Sequence, residues 1–300
     1  MWEYYEGKSV LDTVNKFYDT KCLVVLDGDI LLPNLGLLQS ELDMIRDEVH
    51  IIIHAASYIN LGSALKRVSD PIIGGSEMMA NLALTCKRLN RFIYVFSAYS
   101  TAHLYPRSPD PDVKINEEIY EPERQSYVLD ELNEHYFSVR AAEKKLLIVR
   151  PGVIEPAQHF PFPGYNMPMS SPITMAVAAF ALALTREVRI ATKMDDPDSR
   201  VTIDEVPVDV VADRLLCHLA MGTSGCIHAV SGVRSRLKFG KLSNSLMKLR
   251  RIPASFNFSE DKTSAMFQKL SEEEQQDLQL FTQIDISEIF SLKRKPSALP

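Results

Sequence analysis

The chain has 300 residues, of which 46% are hydrophobic and 24% are charged, a balance that is ordinary for a folded globular protein. Its 33 basic and 39 acidic residues give a formal net charge of −6, which argues against a nucleic-acid-binding surface and against a polybasic membrane anchor. Small molecules and other proteins remain as the expected partner classes.

The cysteines and the apolar segments exclude further classes. Cys22, Cys86, Cys217 and Cys226 are widely scattered, so we expect reduced, buried thiols and no metal site. The first twelve residues contain acids and no apolar run, so no secretory signal is predicted. The longest apolar stretch, 173–185, is about 13 residues and too short to cross a bilayer. We therefore expect a cytoplasmic protein without a membrane span.

Short apolar runs alternate with helical segments in the first half of the chain. Runs rich in β-branched residues predict parallel strands that are covered on both faces, at 22–26, 49–54, 92–96 and 146–150. Segments between them predict helices at 36–47, 74–90 and 127–142. This alternation predicts an α/β fold, with a Rossmann-like parallel sheet flanked by helices.

The composition changes after Arg150-Pro151. Residues 155–172 carry five prolines, which favours a loop lying over a pocket. Beyond that loop the sequence predicts helices near 173–186 and 208–221, strands near 188–191 and 226–230, and a charged surface helix with a loose tail from about 256. We therefore divide the chain into a core at 1–150 and a substrate-covering region with a C-terminal helical part at 151–300, in one compact unit overall.

Six short motifs follow one another at compatible intervals. They are Gly28-Asp29, His54-Ala55-Ala56, FSAY at 96–99, VRPGVI at 149–154, PGYNMP at 163–168 and DEVPVDVVAD at 204–213. One such motif is a weak signal, whereas six in order are a strong one. From about residue 26 to about residue 232 the chain resembles the extended short-chain dehydrogenase/reductases of the fatty acyl-CoA reductase (male-sterility) type.

The resemblance implies roles for residues at the ends of the predicted strands. Asp29 takes the position of an acid that touches the adenine ring of a nicotinamide cofactor, and Ala55 and Ala56 take positions that pass near that cofactor. Ser97 takes the position that supplies the catalytic hydroxyl. Since ligands of such sheets sit at the carboxyl ends of the strands, these residues are expected to surround one cleft.

The catalytic tyrosine of the family has lost its partner in this chain. The interval to Arg150-Pro151 places Tyr127 at that tyrosine, and Glu131 stands where relatives have a lysine. The lysine ammonium lowers the phenol pKa and binds the nicotinamide ribose, and a carboxylate acts in the opposite direction. Two unit charges about 4 Å apart interact by on the order of 4 kcal/mol at an effective dielectric of about 20. For the tyrosine phenol this corresponds to a pKa change of roughly three units.

Two further cofactor features are missing from the sequence. Only 28 residues precede Asp29, and Gly7 is the sole glycine ahead of Gly28, so no glycine-rich phosphate turn is present. Ile72 stands at the position of a family asparagine. We therefore expect an N-terminally truncated sheet that is patched by residues 1–20, covered by a second copy or a partner chain, or left by an incomplete gene product. We expect no cofactor, or NADPH if redox chemistry is retained.

Polar and aromatic residues near the expected cleft are the candidate site. Tyr127 and Ser97 are the candidate catalytic donors to a substrate carbonyl. The candidate substrate-binding residues are His54, Tyr99, His159 and Tyr165. The alternatives are a surface tyrosine for Tyr127, a hydrogen-bonded core histidine for His54, and simple packing of a proline-rich loop for His159 and Tyr165.

These observations lead to one functional hypothesis and two alternatives. The chain is predicted to be a degenerate acyl-CoA-reductase-like protein that binds a lipid-like or polycyclic carbonyl substrate for a non-redox step in secondary-metabolite biosynthesis. That step would be a cyclisation, including a pericyclic one, or an isomerisation. The first alternative is an NADPH-dependent reductase of acyl thioesters or aldehydes whose N-terminal part is missing or supplied by another chain. The second is a non-catalytic binding partner of a larger enzyme.

Overall fold

A computed structural model gives the structure of the protein. It describes residues 15–20, 22–57, 68–101, 104, 113–120, 146–166, 171, 202–232, 237–238, 257–278 and 280–281. The predicted helices at 127–142 and 173–186 and the predicted strand at 188–191 lie outside these residues, as do Tyr127 and Glu131.

Helices and strands alternate through the described residues. The strands are β1 (Ile51–His54), β2 (Arg91–Val95), β3 (Lys114–Ile115), β4 (Leu146–Pro151), β5 (Val153–Glu155), β6 (Thr202–Ile203), β7 (Glu205–Pro207), β8 (Gly225–Ala229), β9 (Leu237–Lys238) and β10 (Asn257–Phe258). The helices are α1 (Gln39–Glu48), α2 (Gly75–Thr85), α3 (Val208–Ala220), α4 (Asp261–Phe267) and α5 (Glu272–Asp277). None of these helices, all in the described part of the chain, has the length and apolarity that a membrane crossing requires.

The principal sheet has four strands in the order β1-β2-β4-β8. β1 and β2 pair in parallel, with Ile51 opposite Arg91 and His54 opposite Tyr94. Smaller two-stranded pairs are β10 with β3, β5 with β7, and β6 with β9. A parallel pair whose strands are separated by a helix is the arrangement that the alternating sequence predicts, so the predicted α/β fold is confirmed.

The chain forms two compact units, and each is discontinuous in sequence. The first unit holds Met1–Val95 and Glu121–Leu147, and the second holds Phe96–Tyr120 and Ile148–Pro300. The predicted division after residue 150 stays a prediction.

In the first unit, α1 and α2 pack beside the turn that precedes α1. Leu35, Leu42 and Leu82 form one buried cluster that joins these three segments. The Glu41 carboxylate accepts a hydrogen bond from the Leu38 N–H at 2.8 Å, which satisfies a free donor at the start of α1. These contacts explain why the predicted helices at 36–47 and 74–90 form, with their ends moved by a few residues.

The predicted strand at 22–26 is wrong. Residues 22–28 form no strand, and Val24 and Val25 are 64% and 72% exposed. A run of β-branched residues supplies only a preference for extended backbone, whereas a strand also needs a neighbour for its ladder and a surface to pack on. Within the described residues this run has neither.

In the second unit the core lies along β4. Ile148, Val149 and Arg150 are all fully buried. β5 pairs in parallel with β7, so that Val153 lies opposite Glu205, and α3 follows β7 directly. This register brings the predicted 149–154 and 204–213 motifs next to each other.

The C-terminal part of the described chain is packed more firmly than its composition predicts. Met266 and Leu280 are buried with Cys217 of α3 in one apolar cluster, and the rings of Phe267 and Phe281 meet edge to face at 5.1 Å. The expectation of a loose tail from about residue 256 is therefore wrong for these residues. The few apolar side chains that anchor this segment lie among charged ones and give no clear helical period.

Candidate functional site

A hydrogen-bonded set of buried side chains lies at the carboxyl end of β1 in the first unit. His54 Nε2 lies 3.3 Å from Ser76 Oγ, which lies 3.3 Å from Tyr94 Oη. The His54 and Tyr94 rings stack with centroids 5.5 Å apart. Burial lowers the pKa of His54, so this imidazole is neutral at pH 7. The geometry favours the alternative of a hydrogen-bonded core histidine, and substrate contact by His54 stays a prediction.

The three residues that the resemblance assigns to a cofactor lie in the same unit. Asp29 Oδ1 accepts a hydrogen bond from the Leu31 N–H at 2.8 Å, and the Asp29 N–H donates to the Leu35 carbonyl at 2.8 Å. These bonds fix the turn after Gly28 and leave the second carboxylate oxygen of Asp29 open to solvent. Ala55 and Ala56 are exposed directly after β1. Their exposure is compatible with the adenosine end of a nicotinamide cofactor.

The described residues directly after β1 and β2 contain no glycine-rich turn of the kind that holds the pyrophosphate of such a cofactor. A dinucleotide site needs closely spaced glycines between a strand and a helix, so that backbone amides reach the phosphates. Within the described chain, β1 leads into Ala55-Ala56 and β2 leads into Phe96-Ser97, and neither turn contains a glycine. Gly152 follows β4, but Asp204 fills its open side, since a Cβ there would lie 2.6 Å from the Asp204 carbonyl oxygen.

Ser97 lies in the second unit, in the turn that follows β2. Its Oγ accepts a hydrogen bond from the Tyr99 N–H at 3.1 Å, and its carbonyl accepts one from the Ser100 N–H at 3.2 Å. A helical turn at Ala98–Thr101 continues from it. Ser97 is half-buried, and its hydroxyl proton makes no hydrogen bond within the described chain. The turn therefore fixes Oγ while leaving its proton for a ligand oxygen.

Tyr99 is held in the same turn by apolar packing. Its ring meets that of Phe258 edge to face at 5.5 Å and packs against the buried cluster of the second unit. Burial, and then the charges of Asp204 and Glu205, raise the pKa of the Tyr99 phenol well above its usual range. Tyr99 therefore stays protonated at neutral pH and has the character of a hydrogen-bond donor and not of a base.

The 149–154 and 204–213 motifs interlock around Asp204. The Asp204 carbonyl accepts a hydrogen bond from the Val153 N–H at 2.8 Å, and its Oδ1 accepts one from the Ser231 N–H at 2.7 Å. Fully buried Arg150 donates from Nη1 to the Glu118 carbonyl at 2.8 Å. Through these contacts the Arg-Pro-Gly and Asp-Glu-Val-Pro sequences form one connected region of the structure, which we call a structural joint.

Asp209 is a site-forming residue to which the sequence alone assigns no role. Its Oδ1 accepts a hydrogen bond from the Gln158 N–H at 2.9 Å, and its Oδ2 accepts from His159 at 2.7 Å and Phe160 at 3.1 Å. Asp209 lies in the first turn of α3, where the negative charge of an acid also interacts favourably with the positive end of the helix dipole. The only sequence signal for it is its place as the last acid of the Asp-x-Val-Pro-Val-Asp segment.

The loop held by Asp209 presents aromatic rings to solvent. Ala157 exchanges backbone hydrogen bonds with Gly164 and Tyr165, and the peptide before Pro161 is cis. Phe160 is 74% exposed and Phe162 is 37% exposed, with the Phe162 and Tyr165 rings edge to face at 5.5 Å. The structure thus places the predicted residues His159 and Tyr165 on one ordered loop, with His159 exposed.

The predicted site residues therefore fall into separate groups. Asp29, His54, Ala55 and Ala56 belong to the first unit, and Ser97, Tyr99, His159 and Tyr165 belong to the second. The predicted catalytic residue Tyr127 lies outside the described residues. Among the side chains that the structure describes, no group of three or more His, Cys, Asp or Glu residues is placed to hold a metal ion.

Comparison with protein families gives a match over most of the chain. The model of the family described as "Male sterility protein", an NAD-binding family, matches residues 3–215. A putative fatty acyl-CoA reductase from Drosophila melanogaster is 24% identical over 216 residues, and human fatty acyl-CoA reductase 1 is 23% identical over 216 residues. In both cases the match covers 65% of this chain and 40% of the relative, so the chain matches less than half the length of either relative.

Several solved structures share the fold, and two of those described next contain a bound nicotinamide nucleotide. RMD from Pseudomonas aeruginosa, complexed with NADPH, has a TM-score of 0.54 at 18% identity and covers 90% of this chain and 87% of its own. The dTDP-glucose 4,6-dehydratase DesIV from Streptomyces venezuelae, with NAD bound, has a TM-score of 0.56 at 13% identity, and the match covers 88% of this chain and 76% of DesIV. The terminal reductase domain of the myxalamid pathway has a TM-score of 0.52 at 20% identity, and the match covers 86% of this chain and 63% of that domain's chain. These likenesses confirm the Rossmann-like fold.

Proposed function

Because the chain belongs to the male sterility protein family, we propose that it binds an apolar carbonyl compound whose oxygen accepts a hydrogen bond from Ser97. The curated relatives are named fatty acyl-CoA reductases, which supports an acyl or other lipid-like carbonyl substrate. The observation that carries the proposal is the Ser97 hydroxyl, which is fixed by the Tyr99 N–H at 3.1 Å and has its proton unused within the described chain.

We further propose that the reaction on this carbonyl involves no hydride transfer. Glu131 replaces the lysine that would bind the nicotinamide ribose, and Ile72 replaces an asparagine of the family. Residues 55–57 after β1 and residues 96–97 after β2 contain no glycine, which supports the proposal that no pyrophosphate is held there. A cyclisation, including a pericyclic one, or an isomerisation in secondary-metabolite biosynthesis needs only that the substrate be held in shape and its carbonyl polarised.

The proposed chemistry uses a hydrogen bond from Ser97 that strengthens as negative charge develops on the carbonyl oxygen. The Ser97 hydroxyl donates to that oxygen, while its own oxygen accepts from the Tyr99 N–H and so keeps the proton directed away from the backbone. A donor already in place costs no rearrangement during the reaction. Tyr127 is proposed as a second donor. The loop at 157–166 is proposed to cover the apolar part of the substrate.

A second candidate is favoured by the family itself, whose members bind nicotinamide nucleotides. In this reading the protein is an NADPH-dependent reductase of acyl thioesters or aldehydes, and a further chain segment or partner chain completes the cofactor site. NADPH would supply hydride, and Asp29, Ala55 and Ala56 would hold its adenosine end. A non-catalytic partner of a larger enzyme is the remaining class.

The two catalytic candidates differ in whether the reduced nicotinamide is consumed. The purified protein is mixed with NADPH and decanoyl-coenzyme A or decanal, and the absorbance of the reduced nicotinamide is followed. We expect the absorbance to stay constant over hours at micromolar protein. A loss of absorbance that matches the formation of aldehyde or alcohol would overturn the non-redox proposal and establish the second candidate.

A further inference from the structure

A cavity of about 280 Å³ lies in the first unit, between α1, α2 and the turn at Pro33–Gly36. None of the predicted site residues lines it. Its volume is near the lower end of the range for small-molecule pockets, so it suits a ligand smaller than a typical drug. The chemistry of its walls indicates which ligand it fits.

The floor of the cavity is apolar and rigidly packed. Leu35, Leu42 and Leu82 are 7%, 2% and 8% exposed and belong to one cluster, against which Met78 packs. Met78 and Leu82 lie one helical turn apart on α2, so they face the same side of that helix. A ligand with a short hydrocarbon chain would bury that chain on these four side chains.

One wall is a turn in an uncommon backbone conformation. Asn34, Leu35 and Gly36 have φ angles of 56°, 59° and 69°, a left-handed region that a leucine rarely adopts. The turn is held by the Asp29 N–H, which donates to the Leu35 carbonyl at 2.8 Å. This conformation places Leu35 in the floor while Asn34 stays exposed beside the opening.

Three hydrogen-bond donors with spare capacity lie around the opening. Arg46 uses Nη1 for Asp43 at 3.1 Å and Nε for Thr85 at 3.4 Å, and its Nη2 makes no hydrogen bond within the described chain. The side-chain amides of Asn34 and Asn81, which also line the cavity, make none there either. The Asp43 side chain is 58% exposed, so water weakens its hold on the guanidinium.

We propose that this cavity is a binding site for a small aliphatic carboxylate. Its hydrocarbon chain lies on the leucine and methionine floor, and its carboxylate accepts hydrogen bonds from Arg46 Nη2 and from the amide of Asn34 or Asn81. Arginine is suited to this role because its planar, permanently charged donors match the two oxygens of a carboxylate. Ser97 does not line the cavity, and the proposal does not depend on the proposed reaction.

The proposal is tested with sodium hexanoate, and hexan-1-ol serves as the neutral ligand of equal chain length. Methyl resonances of the ¹³C-labelled protein are recorded during each titration at constant ionic strength. We expect shifts at the methyl groups of Leu35, Leu42, Met78 and Leu82, and tighter binding of hexanoate than of hexan-1-ol. Arg46→Gln should weaken hexanoate binding about tenfold or more and leave hexan-1-ol binding unchanged, because only the charged contact is lost.

Two further variants keep the test decisive. Arg88→Gln removes an exposed arginine that does not line the cavity, and it should leave hexanoate binding unchanged. Asn81→Trp covers the opening from an exposed position and should abolish binding of both ligands, even if Arg46→Gln fails to fold. The absence of methyl shifts at millimolar hexanoate, equal binding by Arg46→Gln, or equal weakening by Arg88→Gln would each overturn the proposal. So would a dimer that is broken by Asn81→Trp and unaffected by hexanoate, since a second copy would then occupy the cavity.

Discussion

Ser97 combines a fixed oxygen with an uncommitted proton. The Tyr99 N–H occupies one lone pair of its Oγ at 3.1 Å, and the residue is half-buried at the end of β2. Tyr99 cannot take over as a base, since burial and two nearby carboxylates raise its pKa. Ser97 is therefore the described residue whose hydroxyl is available to polarise a carbonyl.

Replacement of that hydroxyl tests the proposed role directly. We expect Ser97→Ala to lower kcat for product formation by about 10²-fold to 10³-fold, the usual cost of one oxyanion donor, with little change in KM. Ser97→Thr keeps a hydroxyl at the same position and should retain most of the activity. Equal activity of the alanine variant and the native protein in a steady-state assay would show that Ser97 does not contact the carbonyl.

Buried histidines make the folded state sensitive to acid. Burial lowers the pKa of His218 to about 4 and that of His228 to about 3, with further lowering by nearby cationic side chains. The unfolded chain therefore binds protons first as pH falls below about 6.5, and the free energy of unfolding decreases with falling pH from there down to the folded-state pKa. The slope is about 1.4 kcal/mol per pH unit for each histidine.

Urea unfolding at pH 7, 6 and 5 measures this slope. His218→Gln should reduce this slope by the contribution of one histidine, whereas Asn90→Ala, which changes an exposed side chain that does not titrate, should leave it unchanged. His218 is bonded to Thr223 and Thr263 at 3.0 Å each, so the variant is also expected to lose stability at pH 7. A slope that is the same in both variants and the native protein would contradict the assigned protonation states.

At the scale of secondary-structure elements, the joints between β4, β5, β7 and α3 shape the second unit. Asp204 bonds to the residues that follow β4 and β8, and Asp209 at the start of α3 bonds to the loop that follows β5. Both are acids that accept backbone N–H groups and so replace ladder partners that the loops lack. The motifs that identify the family in the sequence are, in this region, structural joints.

The joint at Gly152 tolerates no side chain. A Cβ at this position would lie 2.6 Å from the Asp204 carbonyl oxygen, so we expect Gly152→Ala to destabilise the protein by about 1–3 kcal/mol. Gly74 is the matched control, because nothing lies within 4 Å of its Cβ position and its φ of −62° is helical. Gly74→Ala should leave stability unchanged or raise it by up to about 1 kcal/mol. The denaturation midpoints of Gly152→Ala and Gly74→Ala measure this difference in stability, and equal midpoints would contradict the packing described at Gly152.

The loop at 157–166 depends on Asp209. Loss of its carboxylate leaves three backbone N–H groups without their partner, so we expect Asp209→Ala to cost on the order of 3 kcal/mol and to speed amide hydrogen exchange at residues 158–160. Asp261→Ala removes an exposed acid from the first turn of α4, bonded to Lys114 at 2.8 Å, and should cost less than about 1 kcal/mol. Unchanged exchange at 158–160 in Asp209→Ala would show that the loop is held by other contacts.

For the whole molecule, the sequence predicted the parts that depend on local pattern. The apolar runs at 49–54, 92–96 and 146–150 became β1, β2 and β4. β4 is buried throughout, as such a run predicts, whereas the predicted cover on both faces is wrong for β1, in which Ile51 and Ile53 are each 46% exposed. The run at 22–26 has the same composition but no ladder neighbour among the described residues, and no local pattern reveals that difference.

The candidate site was predictable only in part, for the same physical reason. Ser97 could be placed because it follows a strand, and strand ends hold ligands in this fold class. The role of Asp209 could not, since its three partners lie about fifty residues away along the chain and are backbone groups, which carry no sequence signal. The cavity beside Arg46 could not be predicted from the sequence either, because it needs a left-handed backbone conformation at Leu35, which a leucine does not predict.

The proposed function requires that this member of the male sterility protein family works without a nicotinamide cofactor. Calorimetric titration of the purified protein with NADPH and NADP⁺ measures whether such a cofactor binds, with Asp29→Ala as the control for binding at the assigned position. We expect no saturable binding of either nucleotide in the micromolar range. One-to-one binding of NADPH with a micromolar Kd, weakened in Asp29→Ala, would contradict it.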